Sequence, residues 1–232
     1  SIPEYAVPAI RALYTEGIIN GSTGSDGRIY FNPNSSLTRA QAATMIGRTQ
    51  EKGYATTALT FTDSASIPAY ATYYIQTMAA QGIIGGYADG TFAPDRQVTR
   101  AELALLLWRQ AALLGEEPQA SGDLSAYRDG NSVGPASRLA VSWALEQGLY
   151  DALVTDTIHP GLPVSREQTA QVLVAFLAAV EGDPLAVSLA AEDDLEPVVS
   201  ASRANHEAIQ AAVDSAAQKY GAVGVQVAVI ED

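Results

Sequence analysis

The amino-acid sequence predicts an all-α fold: three helix-loop-helix copies packed on one core, followed by a C-terminal helix and strand fragment that belongs to no copy. Three observations predict it. One segment recurs three times along the chain, each recurrence opens its second helix with the same capping signal, and the apolar face behind each cap is too long for a lone hairpin to bury. Composition allows such a core. The chain has 232 residues, 47% of them hydrophobic and 17% charged, which is far from the makeup of a disordered chain.

The first copy runs Tyr5-Ala6, Ile10, Leu13 and Gly17-Ile18-Ile19-Asn20-Gly21, then Phe31-Asn32-Pro33 and Leu37-Thr38-Arg39-Ala40-Gln41. The second runs Tyr70-Ala71, Ile75, Met78 and Gly82-Ile83-Ile84-Gly85-Gly86-Tyr87, then Phe92-Ala93-Pro94 and Val98-Thr99-Arg100-Ala101-Glu102. The third is worn: Ala136, Val141, Ala144 and Gly148-Leu149-Tyr150-Asp151, then Ile158-His159-Pro160 and Val164-Ser165-Arg166-Glu167-Gln168. From proline to arginine each copy spans 6 residues, but from Gly17 to Arg39 the interval is 22 against 18 in the later copies. The first copy therefore holds extra loop residues. Two copies carry an aromatic-X-Asp preface, Phe61-Thr62-Asp63 and Tyr127-Arg128-Asp129; the first has none, so the chain is expected to begin inside a copy.

Within a copy the first helix shows apolar residues at helical spacing (Ile75, Met78, Ala79) and stops at a glycine able to take the left-handed cap. A turn follows at Asp26-Gly27 and Asp89-Gly90. The second helix opens on a capping box, Thr38-x-x-Gln41, Thr99-x-x-Glu102 and Ser165-x-x-Gln168, each cap hydroxyl contributing about 1 kcal/mol. Behind the caps lie Ala43, Met45 and Ile46; Leu103, Leu106, Leu107 and Trp108; and Val172, Leu173, Phe176 and Leu177. Six principal helices on a shared core are expected, with copies at 1–57, 58–122 and 123–182. An acidic stretch between Pro184 and Pro197 reads as a linker over 183–199. Over 200–232, Ser202 to Tyr220 is helical in pattern and Gly224 to Ile230 alternates like a strand, the opening of a further, truncated domain.

Charge and composition exclude several functions. With 26 acidic against 13 basic side chains the net charge is −13, which opposes a nucleic-acid partner. Cysteine is absent, and His159 and His206 lack ligand spacing, so neither disulfide, metal nor cofactor is expected. No apolar run reaches the roughly 18 residues of a spanning helix, and no membrane insertion is expected. Gly130-Asn131-Ser132-Val133-Gly134 fits the nucleophile-elbow pattern, but polar sequence precedes it and Pro135 follows, so it reads as a loop. No Ser-x-x-Lys occurs.

The repeated arginine carries the most information. Arg39, Arg100 and Arg166 each occupy the first helical position, where a cation opposes the helix dipole at a cost of roughly 0.3–1 kcal/mol. Two readings stand: an anion site formed by guanidinium and free helical N–H groups, or an ion pair to a neighbouring copy's carboxylate, such as Asp63 or Asp129. Tyr5, Tyr70 and Tyr73 are either flat faces for sugar rings or core. Tyr87, beside Gly85 and Gly86, either marks a close backbone approach to a ligand or a tight turn.

From Phe61 to Arg109, the order Phe-x-Asp, aromatic-Ala, Gly-Ile-Ile-x-Gly, Asp-Gly-Thr-Phe-x-Pro and Thr-Arg-Ala-Glu resembles an S-layer homology repeat, and the resemblance extends over residues 1 to 182. It implies a pseudo-threefold six-helix spindle that attaches a surface protein to an anionic glycan, a pyruvylated secondary cell-wall polymer, outside the bacterial cell. The implied ligand-binding residues are Arg39, Arg100 and Arg166, the glycines Gly21, Gly85 and Gly86, and the aromatics Tyr5, Tyr70 and Tyr87; Asp63 joins them from the preface. Copy three, with Ala136 in place of an aromatic and Asp151 where copy two has Gly85, is expected to bind least, leaving Arg166 to brace the repeat interface unless grooves between copies mix these residues. Ala208 to Asp232 is similar to the opening of penicillin-recognising serine hydrolases. Two alternatives to an anchor therefore remain, the front of an extracellular serine hydrolase and a protein–protein scaffold, with the fragment itself expected not to be an enzyme.

Overall fold

The computed structural model describes residues 2–50 and 56–181. The linker over 183–199, the helix and strand expected over 200–232, and His206 lie outside the described residues. After a 3-10 turn over Glu4–Ala6 come α1 (Val7–Thr15), a two-stranded sheet of β1 (Ser22–Thr23) and β2 (Ile29–Tyr30), α2 (Arg39–Arg48), α3 (Ala69–Ala80), α4 (Arg100–Leu113), α5 (Arg138–Glu146) and α6 (Arg166–Glu181). The fold is helix-rich, two helices to a copy.

The small sheet corrects the all-α expectation. Its antiparallel register pairs Ser22 with Tyr30 and Thr23 with Ile29, and it is built from the extra loop residues of the first copy. Asp26 organises the turn, its carboxylate accepting from Arg28 N at 3.0 Å and from the Tyr30 hydroxyl at 2.6 Å, while Gly27 supplies the left-handed φ of 79°. The second copy has fewer residues here and keeps only the turn, with Tyr87 N donating to Thr91 O at 2.8 Å.

Helix boundaries follow their local signals. Gly17, Gly82 and Gly148 have φ of 70°, 73° and 71°, and the N–H after each reaches back to Leu13 O, Met78 O or Ala144 O at 2.8–2.9 Å. Thr38, Thr99 and Ser165 each close a reciprocal capping box with Gln41, Glu102 and Gln168.

Three backbone bonds join the copies in a closed circuit. Leu37 N donates to Val164 O at 2.9 Å, Val98 N to Leu37 O at 2.9 Å, and Val164 N to Val98 O at 3.0 Å. All three side chains are fully buried. The packing of helices closes in the same order, α2 against α3, α4 against α5 and α6 against α1. Each second helix therefore lies on the first helix of the following copy. One continuous core results, with Leu13, Ile46, Ile75, Leu107, Val141 and Phe176 among its buried members. Trp143 lies edge-on to both Trp108 and Phe176 at 5.7 and 6.3 Å.

Candidate ligand-binding grooves

The helix starts are already occupied. Arg39 N and Ala40 N donate to Arg96 O and Pro94 O, Arg100 N and Ala101 N to Leu162 O and Pro160 O, and Arg166 N and Glu167 N to Ser35 O and Pro33 O, all at 2.9–3.1 Å. The next N–H in each helix goes to the cap hydroxyl. No helical N–H in the first turn is thus left for an anion, because a loop of the following copy supplies the acceptors.

The guanidinium groups reach into the same loops. Arg39 donates from Nε to Phe92 O at 2.8 Å and from Nη2 to Gly85 O at 3.1 Å; Arg166 donates likewise to Phe31 O at 2.7 Å and Asn20 O at 2.8 Å. Arg100 donates through Nη1 to Ile158 O at 2.7 Å, leaving its buried Nε without a partner. Arg39 also lies over Phe92 at 4.8 Å, as Arg166 lies over Phe31 at 4.8 Å. The second reading, arginine ion pairs to Asp63 and Asp129, is not what forms: those carboxylates hold backbone N–H groups instead, Phe92 N and Ala93 N at 2.8 Å for Asp63, Ile158 N and His159 N at 2.7 Å for Asp129. Burial lowers the pKa of all three arginines, which nevertheless remain cations at neutral pH.

One cavity of about 270 Å³ draws on all three copies. Gly21 and Ser22 of the first copy's loop, Gln41 and Arg48 of α2, Tyr70 of α3 and Arg166 of α6 line it. Two guanidiniums and no carboxylate face this space, on a chain whose net charge is −13. Tyr70, at the edge of the cavity, is 51% exposed. Of the two arrangements left open, pockets drawing ring, open backbone and cation from one copy or grooves mixing them between copies, this cavity is of the mixed kind, because every second helix seats on its neighbour's loop.

The matching place in the second copy is filled. Where the first copy has Ser22 the second has Tyr87, whose ring stacks with Arg39 at 4.6 Å and with Arg96 at 4.5 Å. The Tyr87 hydroxyl donates to Glu102 Oε1 at 3.0 Å, and Arg96 pairs with the same oxygen at 3.4 Å. In the third copy Tyr150, which holds the place of Ile19 and Ile84, is fully buried and its hydroxyl donates to Arg100 O; burial pushes its pKa well above the usual phenol value.

The structure thus brings Gly21, Tyr70 and Arg166 together, and separately Gly85, Tyr87 and Arg39. It sets Asp63 behind the loop and Gly86 against Phe61, where a Cβ would lie 3.0 Å from the ring. Tyr5 is 68% exposed and donates its hydroxyl to Glu167 at 3.0 Å; with Tyr70 and Tyr73 also exposed, the core reading of these rings is overturned. Arg48 was not among the sequence candidates. The copies did carry a signal for it: Arg48 and Arg109 hold equivalent places in α2 and α4, and bond Ile18 O and Ile83 O at 3.3 and 3.0 Å. Gly130–Ser132 forms a 3-10 turn with no strand leading into it, so Ser132 does not sit on a nucleophile elbow. Among the described residues no His, Cys, Asp and Glu cluster is placed to hold a metal, and no helix is long and apolar enough to cross a membrane.

The family model described as the S-layer homology domain matches residues 1–43 and 60–104. The chain carries an S-layer homology domain. It is 30% identical to the surface-layer 125 kDa protein of Lysinibacillus sphaericus over 188 residues, 79% of this chain and 15% of that protein. It is 27% identical to an endoglucanase of Bacillus sp. (strain KSM-635) over 173 residues, 75% of this chain and 18% of the enzyme. With the cellulosome-anchoring protein of Acetivibrio thermocellus the identity is 25% over 147 residues, 62% of this chain and 32% of that protein. The chain thus spans 15% to 32% of the length of these relatives. Relatives named for surface layers, for anchoring and for catalysis share the segment alike, so the S-layer homology domain carries what they have in common rather than any one activity. It places the chain outside the cell, in association with the wall.

Proposed function

We propose that this S-layer homology domain anchors its parent protein non-covalently by binding an anionic glycan, a pyruvylated secondary cell-wall polymer, and that the cavity between Gly21, Tyr70 and Arg166 is its principal site. The observation that carries the reading is the pairing of two arginines with an exposed tyrosine ring in a carboxylate-free cavity of an otherwise acidic chain. A carboxylate-bearing sugar finds charge-assisted donors there, an aromatic edge for its apolar face, and amide and hydroxyl partners in Gln41 and Ser22. Arg39 takes part in the equivalent groove of the second copy, where Tyr87 must first give way, and Arg100 in that of the third. The same reading takes the six helices as a pseudo-threefold spindle, supported by the circuit through Leu37, Val98 and Val164.

Purified walls, native or stripped of pyruvyl groups, test this directly. Native walls should retain the protein and stripped walls should not. Tyr70→Ala and Arg48→Gln each leave the loop-bracing bonds of Arg166 in place, and each should weaken binding by about tenfold, the worth of one stacked ring or charge-assisted bond. Retention on stripped walls, or unchanged binding by both variants, would overturn the assignment.

A further inference from the structure

Asn20-Gly21 is the chain's one asparagine-glycine pair, and it lies at the cavity that Arg48 and Arg166 line. Such a pair can react with itself: the glycine nitrogen, once deprotonated, attacks the carbonyl carbon of the asparagine side chain and expels the amide nitrogen. Glycine leaves that nitrogen open to approach because it has no Cβ. The surroundings of the pair decide whether the step is available. Asn20 is exposed and stands outside every helix and strand, and among the described residues the Gly21 N–H donates to no acceptor.

Among the described residues the comparable nitrogens are blocked. Pro33, after Asn32, has no N–H; Ser35 N, after Asn34, donates to Asn32 O at 3.1 Å, and Ser132 N, after Asn131, to Asp129 O at 2.8 Å. The three Asp-Gly pairs are tied in the same way, Gly27 N to Gly24 O, Gly90 N to Tyr87 O and Gly130 N to Tyr127 O, at 2.9–3.1 Å. Of this set Gly21 alone keeps a free N–H.

Two guanidiniums meet the two ends of the reaction. Arg166 Nη2 donates at 2.8 Å to Asn20 O, the oxygen that carries negative charge when the Gly21 nitrogen gives up its proton. Arg48 Nη1 donates at 3.1 Å to Asn20 Oδ1, in the amide orientation whose Nδ2 donates to Ile19 O at 2.8 Å. That side-chain oxygen takes up charge as the nitrogen adds. Donors fixed where charge develops lower the barrier itself. Gly85 stands in place of Asn20 in the second copy and Asp151 in the third, so neither presents an amide there.

We infer that Asn20 is a self-modification site: Gly21 N bonds to Asn20 Cγ, its proton leaves with the side-chain nitrogen as ammonia, and water opens the resulting succinimide to aspartate or isoaspartate. Water adds its hydroxyl to a ring carbonyl carbon and returns a proton to the Gly21 nitrogen, so the net change is amide to acid. The product sets a carboxylate beside Arg48 in a cavity that has none. Its consequence rests on the anion site proposed above: an anionic glycan is held less tightly as the protein ages.

Peptide mapping after incubation in mildly alkaline buffer tests the reaction without any glycan. Asn20 should convert before Asn32, Asn34 and Asn131, and faster in the folded chain than in a peptide of residues 15–25, which contains no arginine. Arg48→Gln should slow the conversion by about tenfold, one charge-assisted bond lost from the transition state. Earlier conversion of Asn32, Asn34 or Asn131, or a folded chain slower than the peptide, would overturn the site. Aged protein and Asn20→Asp should each bind native walls about tenfold more weakly than fresh protein. Equal binding by fresh and aged protein would refute the consequence for anchoring. Fresh protein that native walls do not hold would count against the anion site instead, while the loss of ammonia is decided by the mapping alone.

Discussion

Gly21, Gly85 and Gly86 carry the same sequence signal, yet a methyl group would meet three different surroundings. At Gly21 it would strike Ile29 and the Tyr30 carbonyl, and at Gly86 it would lie 2.9 Å from Thr91 O; at Gly85 nothing comes within 4 Å. Gly21→Ala and Gly86→Ala should therefore each cost about 1–3 kcal/mol through overpacking, while Gly85→Ala should leave the urea midpoint nearly unmoved. Equal losses at all three would contradict this assignment. Asp129 offers a second test at this scale. Burial raises its pKa, but the N–H groups of Ile158 and His159 outweigh that and hold it below the ordinary carboxylate value. A depressed carboxylate adds stability above its unfolded pKa of about 3.9 and loses it as pH falls toward the folded value. Melting curves should show wild type losing its advantage over Asp129→Asn below about pH 4. A gap that persists undiminished to the lowest pH would sink the linkage.

The elements α2, α4 and α6 begin identically but carry different loads. Gln41 completes its capping box and otherwise faces the arginine-lined cavity, whereas Glu102 completes the box and also accepts Tyr87 and pairs with Arg96. Glu102→Ala should thus destabilise by about 1 kcal/mol more than Gln41→Ala, and Thr99→Ala should cost about 1 kcal/mol, each read from denaturant unfolding. Equal costs for the two N3 residues would mean that the Tyr87 and Arg96 contacts contribute nothing. Caps and glycine stops were legible in the sequence because they are local: hydroxyl and amide or carboxylate lie within one turn of each other. The sheet at Ser22–Thr23 and Ile29–Tyr30 was legible only as an Asp-Gly turn, its strands being too short to show alternation. The partners of Arg39, Arg100 and Arg166 were not legible, because the loop each one enters is set by how the copies close on one another. Their position at the helix start was evident; their reach into Gly85, Ile158 and Asn20 carbonyls was not.

At the scale of the molecule, closure sets this fold apart from an open repeat array. In an open array each repeat touches only its neighbours and the ends can fray independently. Here α6 packs on α1, and the bonds among Leu37, Val98 and Val164 return to their origin, so no copy is terminal. Leu37 sits fully buried in that circuit, its backbone bonded to both other copies. Loss of its side chain opens a cavity where all three second helices start. Leu37→Ala should cost about 2–5 kcal/mol, and the loss should appear in every copy, because none can repack without the other two. Amide exchange resolved along α2, α4 and α6 is the measurement. Protection should fall by the same factor in all three helices, within one cooperative unfolding transition. A fall confined to α2, or a melt in which residues 100–181 unfold separately from the first copy, would show that the circuit joins the copies without coupling them.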